Sequence, residues 1–316
     1  MVSPTKNSPK VITVFGGSGF IGRYVVSMLA RDGWQVRVPT RDPQGVKYLL
    51  PSSSVGQVVP IAVDIRDQES ITHVVAGSSA VINLVGILFE SGRQRFDILQ
   101  SQLPGLVGTA ARDCQVSAFV QMSAIGADLN SASAYGRTKG EGEEAAREGF
   151  PGVTVIRPSI VFGPEDDFFN RFAKMASVSP FLPLVGGGEV KFQPVFVQNV
   201  AEAILKAVND PEKYGGKTYE LGGPRILSFR ECLESMLKHV NCRRLLVPLP
   251  LWLAWLQALF FELLPQPPLT RDQLKMLERD NVVSREAMGF RDFGIDPVDV
   301  RVVLPTYLSR YREGGK

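Results

Sequence analysis

Residues 10–31 read KVITVFGGSGFIGRYVVSMLAR, in which an apolar run, a glycine-rich loop and a second apolar pattern follow one another. Lys10–Phe15 is β-branched and apolar, which predicts a buried strand. Phe20–Arg31 carries apolar residues at helical spacing and ends before Asp32-Gly33, a typical helix stop. The sequence therefore predicts a strand, a tight loop and a helix at this point.

The loop has the pattern Gly-x-x-Gly-x-x-Gly at Gly16, Gly19 and Gly22. The first glycine permits a sharp turn, the second lets backbone amides approach a pyrophosphate, and the third lets the helix pack on the strand. The first helical residues, Phe20 and Ile21, offer N–H groups at the positive end of the helix dipole. We predict a dinucleotide site here; the alternative is a tight turn without a ligand.

The alternation of strand and helix continues along the first half of the chain. Strands are predicted at Trp34–Val38, Val58–Val63, Ala80–Leu84, Ala118–Met122 and Val153–Arg157, and helical segments at Val46–Leu50, Phe96–Asp113 and Tyr135–Glu148. Parallel neighbours need crossover connections, so this order predicts a parallel sheet covered on both faces.

Glycine- and proline-rich turns become frequent after Pro158, which indicates a change of architecture. We predict an α/β protein with a Rossmann-type doubly wound parallel sheet and a smaller C-terminal lobe. Residues 1–160 form the dinucleotide-binding domain, 192–224 return to it, and 161–191 and 225–316 form the lobe on the substrate or docking side. The segments predicted to return to the main sheet are a strand followed by a helix at Phe192–Val208 and a strand at Lys217–Leu221.

The end of the second strand bears on the choice of cofactor. Arg41 stands where a 2′-phosphate would bind, and Thr40 can donate a hydrogen bond to it. This pair favours NADP(H). NAD(H) stays possible, because the next residue, Asp42, could accept the ribose 2′-OH or could instead pair with Arg41.

Three further nucleotide contacts are predicted at the ends of the next two strands. Asp64 can accept a hydrogen bond from the adenine amino group, although an exposed helix cap explains this carboxylate nearly as well. Ile65 follows it, and Leu84 ends the fourth strand.

Ser123 ends the fifth strand, and Tyr135 and Lys139 lie one turn apart on the helix that follows. Short-chain dehydrogenases use such a set: the lysine lowers the pKa of the phenol, and the serine orients the substrate oxygen. We therefore place all three beside the nicotinamide, as catalytic residues or as the remains of a catalytic set. Lys139 can also hold the nicotinamide ribose in a protein without turnover.

The composition excludes several classes of function. A net charge of +3 over 316 residues does not indicate a nucleic-acid-binding surface. Three cysteines without a Cys-x-x-Cys pair do not make a disulfide framework. The two histidines, His73 and His239, are far apart in the sequence, so we predict no metal site.

The most hydrophobic segment is Leu245–Leu264, which Pro248 and Pro250 interrupt and in which Glu262 lies near the end. A spanning helix needs about twenty apolar residues in regular conformation, so we predict a helix that lies on an apolar surface. That surface is a partner protein, the headgroup region of a bilayer, or the lobe itself.

From Val11 to about Val283 the chain resembles the extended, atypical short-chain dehydrogenase-like proteins and, within them, the family of the accessory alpha-subcomplex subunit nine of respiratory complex I. The broad part of the resemblance is the glycine loop, Asp64, Ser123, Tyr135 and Lys139. Its specific part is Ile156–Phe172, Gln193–Ala201 and the Leu- and Pro-rich segment after Leu245.

The resemblance implies tight NADP(H) binding without turnover and docking on complex I peripheral-arm subunits, near the membrane surface and the quinone site. The short N-terminus, in which residues 1–10 show no signal or transit peptide, resembles the bacterial proteins and implies the cytoplasmic side of an inner membrane. The complete Ser123, Tyr135 and Lys139 set departs from many members of that family. Two alternatives therefore stay open: an active NADP-dependent reductase or epimerase acting on a hydrophobic or sugar-nucleotide substrate, and a nucleotide-sensing regulator.

Overall fold

The computed structural model describes residues 10–52 and 54–312. Residues 1–9 lie outside the described residues. The prediction that residues 1–10 contain no signal or transit peptide falls almost entirely on them. Strands and helices alternate in the first half of the chain. They are β1 (Val11–Phe15), α1 (Phe20–Arg31), β2 (Gln35–Thr40), β3 (Val58–Ala62), α2 (Gln68–Val75), β4 (Ala80–Asn83), α3 (Leu103–Asp113), β5 (Ala118–Met122), α4 (Ala134–Gly149) and β6 (Thr154–Pro158).

The second half of the chain has shorter and less regular elements. They are β7 (Val161–Phe162), α5 (Phe168–Val178), β8 (Phe181–Val185), β9 (Lys191–Phe192), β10 (Val195–Phe196), α6 (Val197–Asn209), α7 (Pro211–Tyr214), β11 (Thr218–Leu221), β12 (Leu227–Ser228), α8 (Phe229–Val240), β13 (Leu245–Leu249), α9 (Leu251–Phe261), α10 (Arg271–Met276), α11 (Phe290–Phe293) and α12 (Val300–Leu308).

The main sheet has seven strands in the order β11-β6-β5-β4-β1-β2-β3, and every pair is parallel. This confirms the predicted Rossmann-type α/β fold. The strand order reverses between β1 and β4, and in open sheets of this kind ligands bind outside the carboxyl ends of the strands at that reversal. The glycine loop, which follows β1, lies at this point.

Two local features differ from the predicted elements. The helix predicted at Phe96–Asp113 begins as a wide π-helical turn, Asp97–Gln102, and continues as α3. Pro104 lies in the first turn of α3, directly after the π-helical turn. Helix α2 was not predicted from the sequence; the Asp67 carboxylate caps it by accepting the N–H groups of Glu69 and Ser70.

The second half returns to the main sheet in three places. β11, within the predicted Lys217–Leu221 strand, pairs with β6. The strand predicted at the start of Phe192–Val208 does not join the main sheet, because β9 and β10 are two-residue strands that pair with β12 and β7 instead. α6 does cover the main sheet and shares its core. α11 also joins this core, and its Phe293 stacks on Tyr214 with 4.7 Å between ring centroids.

The remaining elements enclose a second core, which is built from Phe162, Phe169, Leu182, Leu233, Leu304 and their neighbours. The division of the chain into a nucleotide domain and a lobe stays a prediction.

Helix α4 makes backbone contact with α3 and with the π-helical turn that precedes α3. A Cβ at Gly142 would lie 1.9 Å from the carbonyl oxygen of Gln100, and one at Gly149 would lie 2.8 Å from the amide nitrogen of Thr109. Only glycine allows this approach. The position of the helix that carries Tyr135 and Lys139 therefore depends on glycine at positions 142 and 149.

Gly142→Ala is expected to destabilise the fold by roughly 1–3 kcal/mol, the usual cost of overpacking, although alanine is the better helix former. The measurement is the free energy of unfolding in urea. The control is Glu148→Ala on the exposed face of the same helix, with an expected change within about 0.5 kcal/mol. A Gly142→Ala variant as stable as the wild type would contradict the backbone contact.

Candidate functional site

The glycine loop has the geometry that its pattern predicts. Gly16 has a φ of +72°, and a Cβ there would lie 2.9 Å from the carbonyl carbon of Leu84, which follows β4. A Cβ at Gly22 would lie 2.2 Å from the carbonyl oxygen of Gly16. Larger residues at either position would move the loop away from the ends of β1 and β4, so both glycines are required sterically.

The N-terminus of α1 opens towards the ligand side of this loop. Gly19 takes the N-cap position in extended conformation, no side chain caps the helix, and its first turn has no acidic residue. The N–H groups of Phe20 and Ile21 are therefore available to an anion. A pyrophosphate fits this donor set.

Two side chains that the sequence analysis missed hold the loop from outside. The Tyr48 hydroxyl donates to the carbonyl oxygen of Ser18. The guanidinium of Arg23 lies over the Tyr48 ring, 5.2 Å from its centroid, and pairs with Glu165 at 3.5 Å. Only the position of Arg23, directly after the third glycine, hinted at this arrangement.

The end of β2 leaves one cation exposed beside the loop. The Asp42 carboxylate accepts the N–H of Gln44 at 3.1 Å, and the Asp42 N–H donates to the Thr40 hydroxyl at 3.3 Å. Both groups are thus used in a local turn. Within the described part of the chain, the exposed Arg41 guanidinium has no ion pair, with Asp42 or any other acid.

The Asp64 carboxylate, just after β3, is held by Arg66. It accepts hydrogen bonds from the Arg66 backbone N–H at 3.1 Å and from the guanidinium at 2.9 and 2.7 Å. These bonds lower the pKa of Asp64 to about 2. The carboxylate is therefore ionised at neutral pH and already has donors. Ile65 lies half-buried beside it and packs on the core under α2 and α3.

Ser123 follows β5 as predicted, but its hydroxyl is used within the protein. It donates to the carboxylate of Glu143 at 2.5 Å. Glu143 is 1% exposed and also accepts two hydrogen bonds from Arg157, both at 2.7 Å, and one from Arg147 at 3.1 Å. A buried carboxylate needs this degree of pairing, and Ser123 is part of it.

Tyr135 and Lys139 lie on one face of α4, with the Lys139 ammonium 5.9 Å from the centroid of the Tyr135 ring. That ammonium donates to the carbonyl oxygen of Met122 at 3.4 Å, and a Cβ at Gly86, past the end of β4, would lie 3.1 Å from it. The structure thus brings both residues to the carboxyl ends of β4 and β5, beside the glycine loop.

The expectation that Lys139 lowers the pKa of Tyr135 does not match the structure. Burial raises the pKa of the Tyr135 phenol to about 12. Burial also lowers the pKa of the Lys139 ammonium to about 8, against the opposing charge of Glu143. Tyr135 therefore stays protonated at neutral pH and can donate a hydrogen bond.

A second candidate site is the surface of α9, predicted from the apolar segment Leu245–Leu264. Only Ala254 and Ala258 of this helix are buried, whereas Trp252 is 70% and Phe260 63% exposed. The α9 surface consists of the exposed side chains Leu251, Trp252, Trp255, Leu256, Leu259 and Phe260. The helix thus packs on the second core mainly through these two alanines, while Leu253 and Phe261 are half-buried. No helix within residues 10–52 and 54–312 has the length and apolar character that crossing a bilayer requires.

Comparison with known proteins confirms the resemblance that the sequence indicates. The model of the NAD dependent epimerase/dehydratase family matches residues 12–222. The mitochondrial NADH dehydrogenase [ubiquinone] 1 alpha subcomplex subunit 9 of Arabidopsis thaliana is 36% identical over 316 residues, covering 96% of this chain and 79% of the relative. The mitochondrial protein of the same name from Mus musculus is 34% identical, covering 96% of this chain and 80% of the relative.

Among solved structures, the UDP-glucose 4-epimerase of Thermus thermophilus in complex with NAD superposes with a TM-score of 0.70. The match covers 95% of this chain and 98% of the epimerase at 19% identity, so it concerns the fold alone. The family match and the relatives above 30% identity decide the membership. The chain belongs to the NAD dependent epimerase/dehydratase family and, within it, to the family of the alpha subcomplex subunit 9 proteins.

Proposed function

We propose that this chain is an NADP(H)-binding, non-catalytic accessory subunit of respiratory complex I that stabilises the peripheral arm near the membrane and the quinone site. The observation that carries the proposal is the 36% identity to a complex I subunit across 96% of the chain. Its partners are then peripheral-arm subunits, and its place is the cytoplasmic side of a bacterial inner membrane.

The absence of turnover is supported by the chemistry of the Ser/Tyr/Lys set. The Ser123 hydroxyl donates to Glu143, so orienting a substrate oxygen would require breaking a bond to a buried carboxylate. Burial raises the pKa of Tyr135, so at neutral pH its hydroxyl keeps its proton and donates a hydrogen bond. Such a set can hold a nicotinamide ribose and carboxamide without moving a proton.

The preference for NADP(H) is supported by the end of β2. Arg41 is a planar, permanently charged donor suited to a phosphate, and Asp42, the only acid that could replace it as a ribose ligand at this strand end, is used in its own turn.

Contact with the membrane is supported by the α9 surface and the charges around it. The chain has no acidic residue between Glu234 and Glu262, where Lys238, Arg243 and Arg244 precede α9. β13 of this segment pairs with β8, which lies in a second stretch without acids, from Asp167 to Glu189. Exposed Trp, Phe and Leu that cations precede suit an anionic headgroup region, and Glu262, which follows α9, pairs with Arg271.

A second candidate is an active NADP-dependent reductase or epimerase. The observation that favours it is the complete set of Ser123, Tyr135 and Lys139 on β5 and α4, at the carboxyl edge of the sheet.

Arg41→Ala is expected to weaken NADPH binding and leave NADH binding almost unchanged. Loss of a charge-assisted hydrogen bond costs roughly 1.5–3 kcal/mol, so the NADPH affinity should fall about ten- to hundredfold. Calorimetric titration with both cofactors measures the difference. The control is Arg112→Ala at the C-terminal end of α3, away from the glycine loop. An equal loss for both cofactors would refute the assignment of a 2′-phosphate site.

The tagged chain is expected to co-purify with NADH:quinone oxidoreductase activity from membranes of the source cell, and Tyr135→Phe should leave that activity intact. Phenylalanine keeps the edge-to-face contact with Phe96 and removes only the hydroxyl. If instead the purified chain oxidised NADPH with a carbonyl substrate and Tyr135→Phe abolished this, the second candidate would replace the first.

Trp252→Ser combined with Phe260→Ser is expected to reduce binding to vesicles of phosphatidylglycerol and phosphatidylcholine by about tenfold or more, because burying one such side chain contributes roughly 1.5–3 kcal/mol. Co-sedimentation with the vesicles measures the fraction of protein bound. Val302→Ser, which removes an exposed apolar side chain from α12, serves as the control. A wild-type chain that does not sediment with these vesicles would point to a protein partner at this surface.

A further inference from the structure

Helix α10 of the C-terminal region contacts the helix that carries Tyr135 and Lys139. The Asp272 carboxylate accepts hydrogen bonds from the backbone N–H of Ala134 at 2.6 Å, from the backbone N–H of Tyr135 at 2.9 Å and from the Ser133 hydroxyl at 2.8 Å. All three donors belong to the first turn of α4 or its N-cap. A carboxylate from nearly 140 residues further along the chain therefore completes the cap of this helix.

The contact stabilises the N-terminus of α4, where the helix dipole favours a negative charge. Ser133 caps the helix itself by accepting the Gly136 N–H at 3.3 Å, which leaves the N–H groups of Ala134 and Tyr135 without a partner inside the helix. Asp272 satisfies both and places a negative charge at the positive end of the helix dipole. Because Tyr135 is itself one of the donors, its backbone position depends directly on Asp272.

The position of Asp272 is fixed by contacts that neighbouring residues of α10 make with the C-terminal region. Leu274, two residues on, is 3% exposed and belongs to the second core. The Arg271 guanidinium pairs with Glu262 at 2.9 Å and lies over the Trp255 ring at 5.3 Å. α10 is thus anchored to its own lobe on both sides of Asp272, so the carboxylate transmits the position of the lobe to α4.

We propose that Asp272 is a positioning residue of the nicotinamide site, by which the C-terminal lobe sets the position of Tyr135 and, one turn further, of Lys139. The proposal rests on the proposed NADP(H) binding. The adenine half of the nucleotide would bind at the glycine loop and Arg41, whereas the Asp272 carboxylate bonds to Ser133, Ala134 and Tyr135 at the start of α4, so Asp272 acts on the nicotinamide half.

The test compares two probes on Asp272→Ala and Asp272→Asn: NADPH, and adenosine 2′,5′-bisphosphate, which lacks the nicotinamide half. With Asp272→Ala the Kd for NADPH is expected to rise roughly three- to thirtyfold, the range of a lost helix cap, while the Kd for the bisphosphate stays unchanged. Asp272→Asn, which keeps one acceptor oxygen, should lie between wild type and alanine. The fluorescence emission of bound NADPH should shift with the alanine variant, because it reports the surroundings of the nicotinamide.

The matched control is Asp299→Ala. Asp299 also caps a helix of the C-terminal region, since it accepts the Arg301 N–H at 2.9 Å, and it pairs with Arg225, but it does not contact α4. Loss of the Asp299 carboxylate should lower the free energy of unfolding, but the ratio of the Kd values for the two probes should stay the same. Equal weakening of both probes by Asp272→Ala, or no weakening of either, would overturn the positioning role. If the wild-type chain bound neither probe, the proposed nucleotide binding itself would fail, and the positioning role with it.

Discussion

The structure depends on one steric constraint, the contact between the backbone of α1 and the loop that precedes it. A Cβ at Gly22 would lie only 2.2 Å from the Gly16 carbonyl oxygen. No side chain therefore fits at position 22. Because the helix comes so close, its N-terminus lies at the end of β1 and faces the reversal of strand order between β1 and β4. The strands, the glycines and the helix dipole thus all direct an anion to one place.

The Ser/Tyr/Lys set shows how the surroundings decide the chemistry of residues that a motif identifies. Ser123 follows β5 and Lys139 lies in the second turn of α4, as expected, yet each has partners that the motif does not contain. Glu143, one turn after Lys139, binds the serine hydroxyl and is neutralised by arginines from α4 and β6. A carboxylate without those arginines would be too costly to bury, so the serine, the glutamate and Arg157 form one unit.

The C-terminal region combines two roles within a short stretch of chain. α9 exposes most of its apolar side chains, and α10, a few residues further on, contacts the start of α4. Arg271 and Asp272 are neighbours in the sequence but face opposite sides, the first towards Trp255 and the second towards Tyr135. The α9 surface and the N-terminus of α4 therefore share one structural support, helix α10.

The sequence by itself determined the elements whose signals are local. The α1 bounds and the β5 bounds were predicted correctly, because apolar periodicity and glycine spacing act within a few residues, and the position of the glycine loop followed from the same pattern. α2 was missed, since its eight residues carry only three buried side chains and its start depends on the Asp67 cap. Tertiary structure alone decided the partners of Ser123, the closing of the loop by Tyr48, the exposure of the α9 surface and the cap from Asp272. The hydrogen bonds among these features join residues 20 to 139 positions apart. No local spacing encodes them, because they form only after the main sheet and the second core have brought the groups together.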